Sequence, residues 1–296
     1  MNLLTIFSRF PDQEACIEHL EKIRWADAPY CPLCGSTKVA RKADSKRVGR
    51  WNCHDCQSSF NVLSGTIFEK TKLPLQKWFL AIGILVNAKK SVSSHQLARD
   101  LDLNQKSAWF MQQRIRAAML TNEGELLQGI VEADETYVGG KRRRPNRRDD
   151  DNGTGKSGGF TGRKTKKVPV AGAVERGGRV VARVMDNVGR YSLEKFIRRH
   201  VDANGAVLMT DEWSGYGRLH TTMRHAVIKH RECYADGIRH TNTIEGFWAL
   251  VKRAWYGSHH RYSRRFMPFF IAESCWKYNQ RKNEDSFGTF LKGCFA

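Results

Sequence analysis

Negative charge is what this chain has least of: 30 Asp and Glu stand against 50 Lys and Arg, giving a net charge of +20 and a pI near 9.8. That imbalance excludes an acidic, solvating protein and predicts attraction to a polyanion, of which nucleic acid is the commonest. Long apolar runs are missing too. The longest, FLAIGILVNA at 79–88, falls well short of the ~20 residues that a membrane span needs, so no membrane partner is expected. The N-terminal MNLLTIFSRFPDQE turns polar before a signal-peptide core could form, and the expected location is cytoplasmic. A complete phosphate-binding loop is also lacking. GTGKSGG offers Lys156, but Asp150 stands where that motif needs glycine, and neither a strand before nor a helix after frames it, which excludes ATP binding. What is present suffices for a core: 41% hydrophobic and 10% aromatic content over 296 residues predicts more than one folded domain.

Four of the eight cysteines come in two pairs, Cys31 and Cys34 in CPLCGS and Cys53 and Cys56 in WNCHDC, with 18 residues between the pairs. In a reducing compartment this spacing reads as a four-thiolate Zn²⁺ site rather than as disulfides. The intervening GSTKVARKADSKRVGRW is polar and glycine-punctuated, as in a small β-ribbon that depends on its metal. His54 reads as a loop residue, and Cys16, Cys233, Cys275 and Cys294 as ordinary thiols. An N-terminal helix and the ribbon make up a first region, residues 1–65.

A helical region follows at 66–123. LPLQKWFLAIGILVNAKK and SSHQLARDLDLNQKSAWFMQQRIRAAML carry 3.6-residue periodicity. Asn104 is placed to cap a last helix from about Gln105 to Ala118. This is the layout of a helix-turn-helix, and Gln105, Lys106, Gln112, Gln113, Arg114 and Arg116 are the residues its second helix would offer to DNA.

From residue 124 to 296 short strands and helices alternate. GIVEADETYV reads as a strand, KKVPVAGAVE and RVVARVMDNV as a hairpin about Gly177 and Gly178, and SLEKFIRRHV as a helix capped by Ser192. AVLMTDEW and HAVIKH read as further strands, and a long helix starts near Asn242. The order is that of a mixed α/β domain. Between the first strand and the hairpin, residues 141–167 hold eleven Lys/Arg and three Asp. Nothing periodic organises them, and the loop, with Lys141, Arg142 and Arg143 at its start, is expected to close on a phosphate backbone.

Within this basic chain, acids gather at three places: Asp134 with Glu132 and Glu135, Asp211 with Glu212, and Glu245 on the last long helix. Acid concentrated among cations calls for something positive upon it. Asp134, Asp211 and Glu245, on two strand ends and a helix, can together hold two Mg²⁺ (or Mn²⁺) ions about 4 Å apart, the arrangement that serves phosphodiester cleavage and transfer. Lys252, seven residues beyond Glu245, lies on the same line of its helix. NTIE is equally a capping box, with Asn242 at the cap and Glu245 reaching back.

The strings ADETYVGGK, TDEWSGY and HTNTIEGFW, with Lys252 following, resemble the DDE transposases of bacterial insertion sequences, in particular the insertion sequence 1595 family with its N-terminal zinc ribbon. The resemblance spans nearly the whole chain. It implies an RNase H-like catalytic domain in which Asp134 and Asp211 bind metal, Glu245 is the third acid and Lys252 contacts DNA. The family also shows Asn at its third position, which makes Asn242 a competitor; an anionic oxygen holds Mg²⁺ better than an amide, which favours Glu245. The implied function is a transposase that binds terminal inverted repeats, cleaves a strand and directs the freed 3′-hydroxyl at target DNA, working as a homodimer or higher multimer. The alternative is a transposase-derived DNA-binding regulator without catalysis.

Overall fold

The computed structural model describes residues 1–26, 28–42, 49–120, 124–139, 167–228, 240–259 and 262–295. The chain divides into two compact units, Met1–Thr121 with Gln280–Ala296, and Asn122–Asn279.

In the first unit, helices α1 (Leu3–Arg9) and α2 (Gln13–Trp25) each begin on a side-chain cap. The carboxamide oxygen of Asn2 accepts from Thr5 N, and the carboxylate of Asp12 accepts from Ala15 N, both at 2.8 Å. Helix α3 (Leu75–Asn87) starts after Pro74 and buries Trp78, Phe79, Ile82 and Leu85. The ribbon follows the expected pattern. Its strands β1 (Val39–Arg41), β2 (Arg50–Cys53) and β3 (Ser59–Asn61) form one antiparallel sheet. It does not rest on metal alone, since Trp25 of α2 meets Trp51 and Phe60 edge-on at 5.7 and 5.9 Å. Helices α4 (Ser94–Asp100) and α5 (Gln105–Ala118) pack against each other across a short turn, with Asn104 Oδ1 accepting from Ser107 N at 2.8 Å.

The end of the chain departs from the expected boundaries, which assigned 124–296 to one domain. Helix α9 (Ser286–Gly293) belongs to the first unit. Phe287 explains the placement: it is buried against Phe79 at 5.7 Å and Phe10 at 6.2 Å, filling the apolar gap over α2 and α3.

The second unit is built on one five-stranded sheet. Its strands are β4 (Leu127–Val138), β5 (Val168–Glu175), β6 (Val180–Val184), β7 (Val201–Asp211) and β8 (Arg224–Ile228), in the order β6-β5-β4-β7-β8. The first three run antiparallel and β7 and β8 parallel to β4, the RNase H-like arrangement. The crossover from β6 to β7 is helix α6 (Arg190–His200), which covers one face of the sheet through Leu193, Phe196 and Ile197. Its cap is Gly189, three residues before the expected Ser192, whose hydroxyl donates instead to Asn187 Oδ1 at 2.8 Å. Helices α7 (Asn242–Ala254) and α8 (Met267–Asn279) cover the other face with Ile244, Phe247, Trp248 and Val251. Alternation along the buried strand β4 sends Ala133 to the α6 side and Asp134 to the α7 side.

Candidate active site and metal centre

The four paired cysteines converge. Their sulfur atoms all lie within 4.8 Å of one another, with Cys31 to Cys56 at 3.8 Å and Cys34 to Cys53 at 3.6 Å. A tetrahedron with metal–sulfur bonds of about 2.3 Å has edges of about 3.8 Å, so the set fits Zn²⁺. His54 and the remaining described cysteines stand outside it.

The acids behave differently. Asp134 and Asp211 lie on neighbouring parallel strands, where Glu132 pairs with Met209, so two residues further along each strand they continue the same row. Burial pushes the Asp134 carboxyl up to about 7, with the charges of Glu135 and Asp211 adding to the effect. The indole of Trp248 donates to Asp134 Oδ2 at 3.0 Å and orients it. Tyr216, buried behind the row, donates its hydroxyl to Glu135 Oε2 at 3.2 Å; burial, then the charges of Glu135, Asp134 and Asp211, push its own ionisation well above the usual range. A cation between Asp134 and Asp211 would relieve this repulsion, and the donor set of hard oxygens suits Mg²⁺ or Mn²⁺.

Glu245 is exposed on the first turn of α7, and its Oε1 accepts from the Thr241 hydroxyl at 3.2 Å. Among the described residues, the cysteines are the group of three or more potential ligands drawn within 4.8 Å; Asp134, Asp211 and Glu245 together are not. Asn242 and Lys252 are also exposed. The expected cap by Asn242 is replaced: Thr241 occupies the cap position without a side-chain bond to the helix backbone.

What satisfies the start of α7 is Glu132, which the sequence reading noted and assigned no part. It is fully buried, and its carboxylate accepts from Thr243 N at 2.8 Å, Ile244 N at 3.0 Å and the Thr243 hydroxyl at 2.9 Å. Arg176 pairs with it at 2.5 Å and also donates to His240 O at 2.9 Å. A carboxylate at a helix N-terminus meets both the orphan amides and the positive end of the dipole. Glu132 therefore ties the helix bearing Glu245 to the strand bearing Asp134. The available signal was an acid in an apolar strand two residues from another acid, on the same face.

On α5 the structure corrects the expected DNA face. Gln112 is 1% exposed, and its amide donates to Val92 O at 3.0 Å. Arg116 is fully buried and reaches Ser91 Oγ and Gln112 Oε1, and Gln113 is buried as well. Arg114 is half-buried and donates to Glu69 O at 2.9 Å. Gln112, Gln113 and Arg116 point inward because α5 packs on α3 and α4 through that flank. Gln105 and Lys106 remain outward, joined by Phe110. Lys141, Arg142 and Arg143 lie outside the described residues.

Two domain families match this sequence. Residues 126–279, more than half the chain, match the ISXO2-like transposase domain. The chain belongs to that transposase family. Residues 11–59 match the transposase zinc-ribbon domain, which covers all four cysteines. The transposase is also similar to an uncharacterised protein in transposable element ISH50 of Halobacterium salinarum, 28% identical over 277 residues covering 89% of this chain and 90% of the relative. Among solved structures it overlaps a Mos1 transposase paired-end complex with the left transposon end (13% identity, TM-score 0.27, 72% of this chain and 78% of that one). It overlaps the Mos1 strand transfer complex likewise (14% identity, TM-score 0.29, 72% and 73%). Overlaps this loose add nothing to the family assignment. No described helix is long and apolar enough to cross a membrane.

Proposed function

We propose that this transposase binds the terminal inverted repeats of its element and catalyses metal-dependent strand cleavage and strand transfer. The observation that carries the reading is the Asp134 carboxyl, buried within β4 rather than at the strand end the sequence predicted, beside Asp211 at the end of β7, with its proton affinity raised to about 7. Such a cluster is costly by itself and becomes favourable around divalent cations. Asp134 and Asp211 would hold the metal, with Glu245 as third acid and Asn242 beside it. When bound, two Mg²⁺ or Mn²⁺ ions supply activation of the attacking oxygen and stabilisation of the leaving one.

The chain's own residues do the rest. Trp248 fixes the Asp134 carboxylate, and Glu132 holds the first turn of α7 against β4. Lys252, exposed on the same helix, would take a phosphate of the DNA, while Lys106 and the basic loop 141–167 would supply attraction that is independent of sequence. The regions 1–65 and 66–123 would bind the element ends and 124–279 would perform the chemistry, in a homodimer or larger multimer that holds two ends of double-stranded DNA in the cytoplasm.

The test is strand transfer from a labelled duplex carrying the element's inverted repeat into a supercoiled plasmid, with and without added Mg²⁺. Wild type should give joined product only with the metal, and Asp134→Ala should give none. A protein that binds the duplex but neither nicks nor joins it with any divalent metal is a regulator, not an enzyme.

A further inference from the structure

The outward side of α5 is more aromatic than its sequence suggests. Phe110 is 53% exposed, and the Arg114 guanidinium lies 5.4 Å from its ring centre. With Lys106 one turn before it, Phe110 forms a stripe of cation, ring and cation along the helix. Beside this stripe runs an open groove of about 700 Å³, whose lining adds Lys70, Lys72, Leu73 and Trp78 to the residues of α5. Glu69 is its one acid, and that carboxylate is engaged by Gly65 N at 3.1 Å and by the Lys70 ammonium at 3.5 Å. The volume is in the range that admits a small molecule, roughly 300–1,000 Å³.

A large ring left half in water beside a concave apolar floor and a cationic rim marks a binding surface. The rim excludes a cationic partner, and the aromatic wall suits something flat. The surface of a continuous duplex presents nothing that would enter such a groove, whereas an unpaired strand presents bases with anionic links between them. We propose that this groove binds single-stranded DNA, an unstacked base lying against Phe110 and its flanking phosphates meeting Lys72 and Lys106. The site is separate from the acidic row of β4 and β7. It rests on reading the chain as a DNA-handling transposase, and it adds a preference for unpaired strand at or near the bound element end.

The test measures binding by fluorescence anisotropy of a labelled 12-nucleotide oligothymidylate and of a fully paired duplex, using the full-length zinc-bearing protein without added Mg²⁺. Phe110→Ala should weaken single-strand binding about tenfold, the loss of one stacked base, while duplex affinity changes less than twofold. Phe110→Tyr should keep the wild-type affinity, and Lys72→Gln should weaken single-strand binding and flatten its salt dependence. Because Phe110 is half-exposed, an unchanged melting temperature will show that the alanine variant is folded. The proposal is overturned if Phe110→Ala leaves single-strand binding within twofold, or weakens single strand and duplex alike. It is equally overturned if the substitution changes only the sedimentation of the protein, which would make the groove a contact between copies. Cleavage is not involved in this readout, so a chain that binds single strands through Phe110 but never cuts refutes the proposed catalysis and leaves the groove standing.

Discussion

Asp134 is where sequence and electrostatics meet most directly. Its carboxyl rises from the ordinary 3.8 to about 7 because the folded chain buries it, beside Glu135 and Asp211. A carboxyl whose proton is held more tightly when folded adds stability that is full below about 3.8 and lost as pH rises through about 7. Asp134→Asn, which stays neutral, should therefore melt higher than wild type at pH 8 without added Mg²⁺, by about 5 °C, with the gap shrinking towards pH 5. Added Mg²⁺ should raise the melting temperature of wild type more than that of the variant, since only wild type offers the charge. Glu132 poses the opposite case, a buried acid whose charge is fully compensated. Glu132→Gln leaves Arg176 and two helix amides without an anion, and should cost about 3 kcal/mol. Thermal unfolding gives the cost, and faster hydrogen exchange at Thr243 and Ile244 would locate it.

Among the elements, α7 and β5 are coupled by a glycine. Gly172 pairs with Asp134 across the sheet, and a Cβ there would meet the Trp248 ring carbons at 2.6 and 2.7 Å. The missing side chain is what lets the indole reach Asp134. Gly172→Ala should cost about 1–3 kcal/mol through overpacking and should reduce strand transfer further by displacing the indole, so both melting and joining assays are needed to separate the effects. The elements themselves were largely legible: the strand ending on Asp211, the hairpin about Gly177 and the cap at Asn104 all follow from period and local chemistry. The start of α7 was not, because NTIE carries a local capping signal that a carboxylate 111 residues away overrides.

For the whole molecule the governing quantity is the net charge of +20. If Lys106, Lys252 and the basic loop neutralise phosphates as proposed, affinity for duplex of arbitrary sequence should fall about 10³-fold or more between 50 and 200 mM salt. A shallow dependence would instead mean that these charges are spent within the protein. The two units also show that chain order and spatial domain differ here, since α9 returns to the first unit to cover Phe10 and Phe79.

Spacing alone determined the zinc ligands, because four thiolates in two short knuckles have few other ways to meet. Pattern alone determined the alternation of strands and helices, and the concentration of acids at three points of a basic chain identified the residues on which catalysis is proposed. Only the tertiary structure decided which side of α5 faces out, that Glu132 serves α7, that Trp248 reaches Asp134 across Gly172, and where α9 packs. Each of these depends on contacts between residues far apart in the chain, where a local preference yields to burial and to the pairing of buried charge.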